Sequence, residues 1–163
     1  MKDLDNLISG INSGDVKSLA RAISLVENDA DGAQEVLEQL TSNDVPVIGV
    51  TGPPGAGKST LINAMVRKLV DDDKKVGVLC IDPTSPFNYG SLLADRLRMG
   101  DHFNQKGVFI RSLATRGSLG GLSAKTIEIS DVMRCAGFDS VIVETVGAGP
   151  SEVEIAGLAG TTT

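Results

Sequence analysis

The most constraining feature of this 163-residue chain is a strand-like run, a glycine-rich turn and a helix-like run, which follow one another over residues 45–70. The first run, VPVIGV, is rich in β-branched residues and indicates a buried strand, whereas TLINAMVRKLV spaces its apolar residues as a helix does. Between them, residues 52–59 read Gly-Pro-Pro-Gly-Ala-Gly-Lys-Ser, which matches the pattern G-x-x-x-x-G-K-[ST]. This order predicts a loop whose N–H groups bind a polyphosphate at the N-terminus of the helix.

Each residue type in the turn has a role in that chemistry. Glycines permit the backbone conformations that turn N–H groups inward. Lys58 is expected to reach the β- and γ-phosphates of a nucleotide, and Ser59 to offer its hydroxyl to Mg²⁺. The predicted nucleotide contacts are Gly52, Pro53, Pro54, Gly55, Ala56, Gly57, Lys58, Ser59 and Thr60. The alternative is a glycine-rich strand-to-helix turn that binds no ligand.

Composition narrows the classes of function. The formal net charge of −6 and the dispersed basic residues disfavour a nucleic-acid or anionic membrane surface. Aromatic residues make up only 3% of the chain, which argues against a base-stacking platform. No apolar run reaches membrane-spanning length, the N-terminus lacks a targeting pattern, and the two cysteines fit buried free thiols. We therefore expect a cytoplasmic protein that binds neither nucleic acid nor a membrane.

The pattern of apolar residues divides the chain into two parts. Residues 1–44 show three amphipathic stripes, with Asp15 as a candidate N-cap, and form a predicted N-terminal helical segment. Residues 45–163 alternate strand and helix patterns and form a predicted nucleotide-binding domain. Strands are predicted at 45–50, 76–81, 108–110 and 141–143, and helices at 60–70, 91–99 and 123–136, with Gly137 as the stop of the last helix. The alternation predicts an α/β fold with a mostly parallel, doubly wound sheet and flanking helices. Ligands of such sheets bind beyond the carboxyl ends of the strands.

Three carboxylates fall where they could bind a metal ion at the phosphates. Asp82 and Glu144 each end a strand-like run, and Asp95 follows a segment that contains proline and glycine. Since Mg²⁺ prefers oxygen ligands, Ser59, Asp82, Asp95 and Glu144 are the predicted metal ligands. Gly147 is expected to bring its backbone N–H to the γ-phosphate. The alternatives are ordinary polar strand ends and, for Asp95, a solvated helix face.

Other charged residues are weaker candidates. Four arginines could stabilise phosphate charge, although surface salt bridges explain most arginines; they are Arg96, Arg98, Arg111 and Arg116. His102, the single histidine, lies in a polar stretch and gives little basis for a metal site.

Four ordered motifs resemble those of one family. They are GPPGAGKST, DPTSPFNYGSLLADRLRM, FIRSLATRGSLGGLS and IVETVGAGPSEVEIAGLA, and they are similar to the motifs of the MeaB/ArgK-type P-loop GTPases, the methylmalonyl-CoA mutase-associated chaperones. The resemblance extends over essentially the whole chain. It implies Mg²⁺-dependent binding of GTP and GDP and slow hydrolysis of GTP. It also implies a role in protecting an adenosylcobalamin-dependent mutase and gating the loading of its cofactor.

The resemblance also implies roles for individual residues. Lys58 matches the phosphate ligand, and Ser59, Asp82, Asp95 and Glu144 match the metal-site positions. Lys58, Glu144 and Asp95 are accordingly the expected catalytic residues. Residues 86–99 and 147–152 match the two switch segments of the family.

This chain departs from the family pattern in several places. Pro150 stands where the family often has Gln, and Ala94 where it usually has Gly. The family continues into later strands, a dimerisation arm and an Asn-Lys-x-Asp motif that recognises the nucleotide base. The 163 residues of this chain contain no Asn-Lys-x-Asp motif. We therefore expect an incomplete domain with poor base discrimination and an exposed sheet edge, which favours homo-oligomers. Two alternatives stay open, namely a non-catalytic oligomerising fragment of that fold and an ATP-using P-loop protein such as a kinase or transport ATPase.

Overall fold

Three helices open the chain in the computed structural model, which describes residues 2–41, 43–82, 105–114, 124–145 and 161–162. They are α1 (Lys2–Asn12), α2 (Val16–Glu27) and α3 (Ala33–Gln39). Asp15 caps α2, because its carboxylate accepts the backbone N–H of Ser18 at 2.8 Å. The three predicted helical stripes and the predicted N-cap are confirmed.

The rest of the described chain contains five strands and two helices. Its elements are β1 (Val47–Val50), α4 (Lys58–Asp71), β2 (Val76–Asp82), β3 (Val108–Ala114), α5 (Ala124–Arg134), β4 (Ser140–Thr145) and β5 (Thr161–Thr162). The strands form one sheet in the order β3-β2-β4-β1-β5, and every recorded pair is parallel. This confirms the predicted α/β fold with a parallel sheet and flanking helices.

Element bounds differ from the predicted ones where tertiary partners decide them. The strand predicted at 108–110 extends to Ala114, because β3 pairs with β2 along its whole length, from Val76↔Val108 to Asp82↔Ala114. Gly137 follows the end of α5 with a φ of +74°, a conformation that suits a glycine stop. The fifth strand was not predicted, since two threonines make no pattern of their own. The helix predicted at 91–99 lies outside the described residues.

Helices cover both faces of the sheet. Along β4, Ile142 belongs to a cluster with Ile62 and Val66 of α4, whereas Val141 and Val143 belong to the cluster of the opposite face. Successive side chains of a strand point to opposite faces, so the pattern assigns α4 to one side of the sheet. The opposite cluster includes fully buried side chains of all three N-terminal helices and of α5, namely Ile11, Ile23, Val36 and Ile129. The three N-terminal helices therefore share one hydrophobic core with α5 and this face of the sheet.

In the described part of the chain, no helix has the length and apolar character needed to cross a bilayer.

Candidate nucleotide-binding site

The glycine-rich loop lies at the carboxyl edge of the sheet. It connects the end of β1 to the start of α4, and Lys58 is the first residue of that helix. Because the strands are parallel, β2 and β4 end at the same edge, at Asp82 and Thr145. This is the edge at which open α/β sheets bind their ligands.

Left-handed backbone conformations shape the loop. Gly55 and Gly57 have φ values of +79° and +87°, and Gly52 has a φ of +147°. These angles favour glycine, because a Cβ atom would be strained there. Gly57 occupies the N-cap and has no side-chain acceptor to offer the first N–H groups of α4. Those N–H groups, with the positive end of the helix dipole, form a site suited to an anion.

Lys58 folds back over this loop. Its Nζ donates to the carbonyl oxygens of Gly52 at 2.8 Å and Pro53 at 3.1 Å. These two bonds hold the ammonium charge above the loop. An ammonium carries three donors, so the geometry leaves capacity for a further acceptor such as a phosphate oxygen.

Ser59 and Glu144 meet across the gap between α4 and β4. The Ser59 hydroxyl donates to Oε1 of Glu144 over 3.4 Å. Glu144 is two residues beyond Ile142 on the same strand, so its side chain points to the face that α4 covers. Two oxygens at adjacent octahedral positions, each about 2.1 Å from Mg²⁺, lie about 3 Å apart. The pair therefore fits two ligands of one magnesium ion, with a small adjustment.

A second contact links the ends of β1 and β4, one position beyond the last paired residues of these strands. The hydroxyl of Thr145 donates to that of Thr51 over 3.2 Å, and Thr145 is only 3% exposed. Thr51 immediately precedes the glycine loop, and Thr145 immediately follows Glu144. Sequence reasoning missed this pair, although a threonine at the end of each strand run was a usable signal.

The remaining predicted residues have different outcomes. Asp82 is the last residue of β2, at the predicted edge. Asp95 and Gly147 lie outside the described residues, as do Arg96, Arg98, Arg116 and His102. Arg111 is not at the site, because it contacts Glu27 at 2.6 Å. For Arg111, the salt-bridge alternative is the one that holds.

Comparisons with known proteins identify the family of this chain. The family model described as "Methylmalonyl Co-A mutase-associated GTPase MeaB" matches residues 19–163. The GTPase ArgK of Escherichia coli is 41% identical over 155 residues, which are 91% of this chain and 47% of that protein. A fused isobutyryl-CoA mutase of Geobacillus kaustophilus is 41% identical over 155 residues, 88% of this chain and 14% of that protein.

A solved structure shows the same fold. The crystal structure of a LAO/AO transport system kinase has a TM-score of 0.76 and 30% sequence identity, and the match covers 98% of this chain and 48% of that one. The chain spans about half the length of curated relatives such as ArgK.

Proposed function

The chain belongs to the MeaB family of GTPases associated with methylmalonyl-CoA mutase, and we propose that it binds GTP and GDP with Mg²⁺ and hydrolyses GTP. The observation that carries the proposal is the constellation at the carboxyl edge of the sheet. There, the ammonium of Lys58 lies over the glycine loop, and the hydroxyl of Ser59 faces Glu144 at 3.4 Å.

The residues divide the work between phosphate and metal. The loop N–H groups and Lys58 bind the β- and γ-phosphates, and Lys58 offsets charge that develops on them during transfer to water. Ser59 and Glu144 are the residues that would hold Mg²⁺, and Asp82 is proposed to join them from the end of β2. Bound Mg²⁺ would neutralise phosphate charge. Asp95 and Gly147 lie outside the described residues, and their assignment to the metal and to the γ-phosphate rests on the sequence.

The biological role is proposed to be that of a chaperone module for an adenosylcobalamin-dependent methylmalonyl-CoA mutase. Two names support a role beside an acyl-CoA mutase, namely the description of the family model and the fused isobutyryl-CoA mutase that contains a related segment. We propose that the protein is cytoplasmic and has no nucleic-acid or membrane partner. We also propose that it forms homo-oligomers through the exposed edge of the sheet.

Base selectivity distinguishes this function from an ATP-using alternative. The name of the structural relative, a transport system kinase, is the observation that favours the ATP-using alternative. This chain contains no Asn-Lys-x-Asp motif that would select guanine. Strong selection requires buried polar groups that the wrong base leaves unpaired. We therefore expect the preference for GTP over ATP to stay below about a hundredfold, which corresponds to about 2.7 kcal/mol.

Calorimetry with GTP, GDP and ATP, each with and without Mg²⁺, tests the proposal. Lys58→Ala should lower the affinity for all bound nucleotides by at least about thirtyfold, because truncating one partner of a phosphate ion pair costs about 2 kcal/mol or more. The matched control is Lys68→Ala on the same helix, whose side chain is 74% exposed and pairs with Asp72. Wild-type protein that binds none of the three nucleotides would support the non-catalytic alternative. Strong adenine preference would support the ATP-using one.

A further inference from the structure

Two threonines, Thr51 and Thr145, form a contact on the face of the sheet opposite to the one that Ser59 and Glu144 share. The recorded ladder between β1 and β4 ends at Val50↔Glu144. Thr51 follows the last residue of β1, and Thr145 is the last residue of β4. Their hydroxyls lie 3.2 Å apart, with Thr145 as the donor. The hydrogen bond between the hydroxyls thus extends the contact between β1 and β4 by one residue toward the glycine loop.

The alternation of side chains separates this threonine pair from the ligand. Glu144 points to the face that α4 covers, where it meets Ser59. Thr145 follows Glu144 and points to the opposite face, as Val143 does. Neither threonine hydroxyl is therefore placed to bind a phosphate or Mg²⁺ through the Ser59 side of the sheet. Any influence on the site must pass through the positions of the two strand ends.

We propose that Thr51 and Thr145 are positioning residues, which set the distance between the glycine loop and Glu144. Ser59 is attached to β1 through the loop, and Glu144 is part of β4, so Mg²⁺ requires these two strands to end at a fixed separation. The inference rests on the proposed function, because it concerns the Mg²⁺-dependent part of nucleotide affinity. A purely structural threonine pair would change stability and leave that part unaltered.

The experiment measures the affinity for guanylyl imidodiphosphate with and without Mg²⁺, together with the melting temperature. Thr145→Val keeps the shape of the side chain and removes its hydroxyl. The ratio of the two affinities should fall by about threefold to tenfold, the range expected for one hydrogen bond, while the Mg²⁺-free affinity stays the same. Thr145→Ser restores a hydroxyl and should restore the ratio.

The matched control is Ser140→Ala, at the opposite end of the same strand. Ser140 is 4% exposed, and its hydroxyl has no hydrogen-bond partner in the described part of the chain. Its removal should leave the ratio at the wild-type value. The double variant of Thr51→Val and Thr145→Val should lose no more of the ratio than either single variant, because both changes break one bond.

The outcomes separate the inference from the function on which it rests. If Mg²⁺ raises the affinity of the wild-type protein and Thr145→Val leaves that increase unchanged, the positioning role is wrong and the proposed function stands. A wild-type protein that binds the nucleotide without any effect of Mg²⁺ overturns both. If Thr145→Val does not fold, Thr51→Val makes the same test, since Thr51 is the less buried partner of the pair.

Discussion

The ion pair between Arg111 and Glu27 is predicted to stabilise the attachment of the N-terminal helices and to leave nucleotide binding unaffected. Nη2 of Arg111, on β3, donates to Oε2 of Glu27 at 2.6 Å and to the hydroxyl of Ser24 at 3.2 Å, both on α2. The two charged side chains are 27% and 22% exposed. The pair therefore lies between the limits of a buried and a surface salt bridge.

The magnitude follows from that intermediate exposure. A hydrogen bond to a charged group contributes about 1.5 to 3 kcal/mol, and an exposed pair about 0 to 1 kcal/mol, so we expect a coupling energy of about 1 to 2 kcal/mol. The assay is a double-mutant cycle in urea with Glu27→Gln and Arg111→Met, because the cycle isolates the pairwise energy. Lys68 and Asp72 form the matched exposed pair, at 74% and 51% exposure. Their coupling should stay below about 0.5 kcal/mol.

Two results would refute this reasoning. One is a coupling energy for Arg111 and Glu27 no larger than that of the exposed control pair. The other is a loss of nucleotide affinity in Arg111→Met that Glu27→Gln does not reproduce. That second result would return Arg111 to the role of phosphate ligand, which the sequence alone left open.

Three further predictions concern the loop, pH and thiol reactivity. Gly57→Ala should weaken GDP binding about tenfold, since a left-handed residue with a Cβ costs about 1 to 2 kcal/mol. Among the described residues, no atom beyond the adjoining backbone lies within 4 Å of the added Cβ, so the loss would come from backbone strain and not from a steric clash. Unchanged affinity would contradict this prediction. The Lys75 N–H bound to Asp139 lowers the pKa of that carboxyl. The ionised form is thus favoured in the fold. The charge-dependent part of the stability difference between wild type and Asp139→Ala should be fully present at neutral pH, decline as the pH falls below about 3.9, the pKa of an unfolded aspartate, and vanish below the lowered pKa of the folded state. An equal difference in acid would contradict this. Burial raises the pKa of the Cys135 thiol, so iodoacetamide should modify Cys135 in urea and not in the native protein, as mass spectrometry would show.

The parts of the fold that the sequence predicted are those with local signals. The loop at 52–59 and its flanking strand and helix follow from glycine spacing and apolar periodicity, and the structure confirms that order. The length of β3 was underestimated because Arg111 interrupts its apolar pattern. That polar residue is accommodated by Glu27, 84 positions away in the chain.

The candidate site shows the same division between local and distant information. Lys58 and Ser59 belong to one short motif, and Glu144 was predicted because it ends a strand-like run of apolar residues. The contact between Thr51 and Thr145 spans 94 positions. It depends on the pairing of β1 with β4, which no local pattern specifies. Family membership was expected from four motifs, and the match over residues 19–163 confirms it.

The central claim is that Ser59 and Glu144 bind one Mg²⁺ ion at the phosphates held by Lys58, and the dependence of GTP affinity on Mg²⁺ tests it most directly. In wild-type protein, Mg²⁺ should raise the affinity for GTP, and Glu144→Gln should remove at least about tenfold of that gain while Mg²⁺-free GDP binding and the melting temperature stay nearly unchanged. Asp82→Asn should act in the same direction. A Glu144→Gln variant that retains the full effect of Mg²⁺, or one that simply unfolds, would contradict the assignment of this carboxylate to the metal.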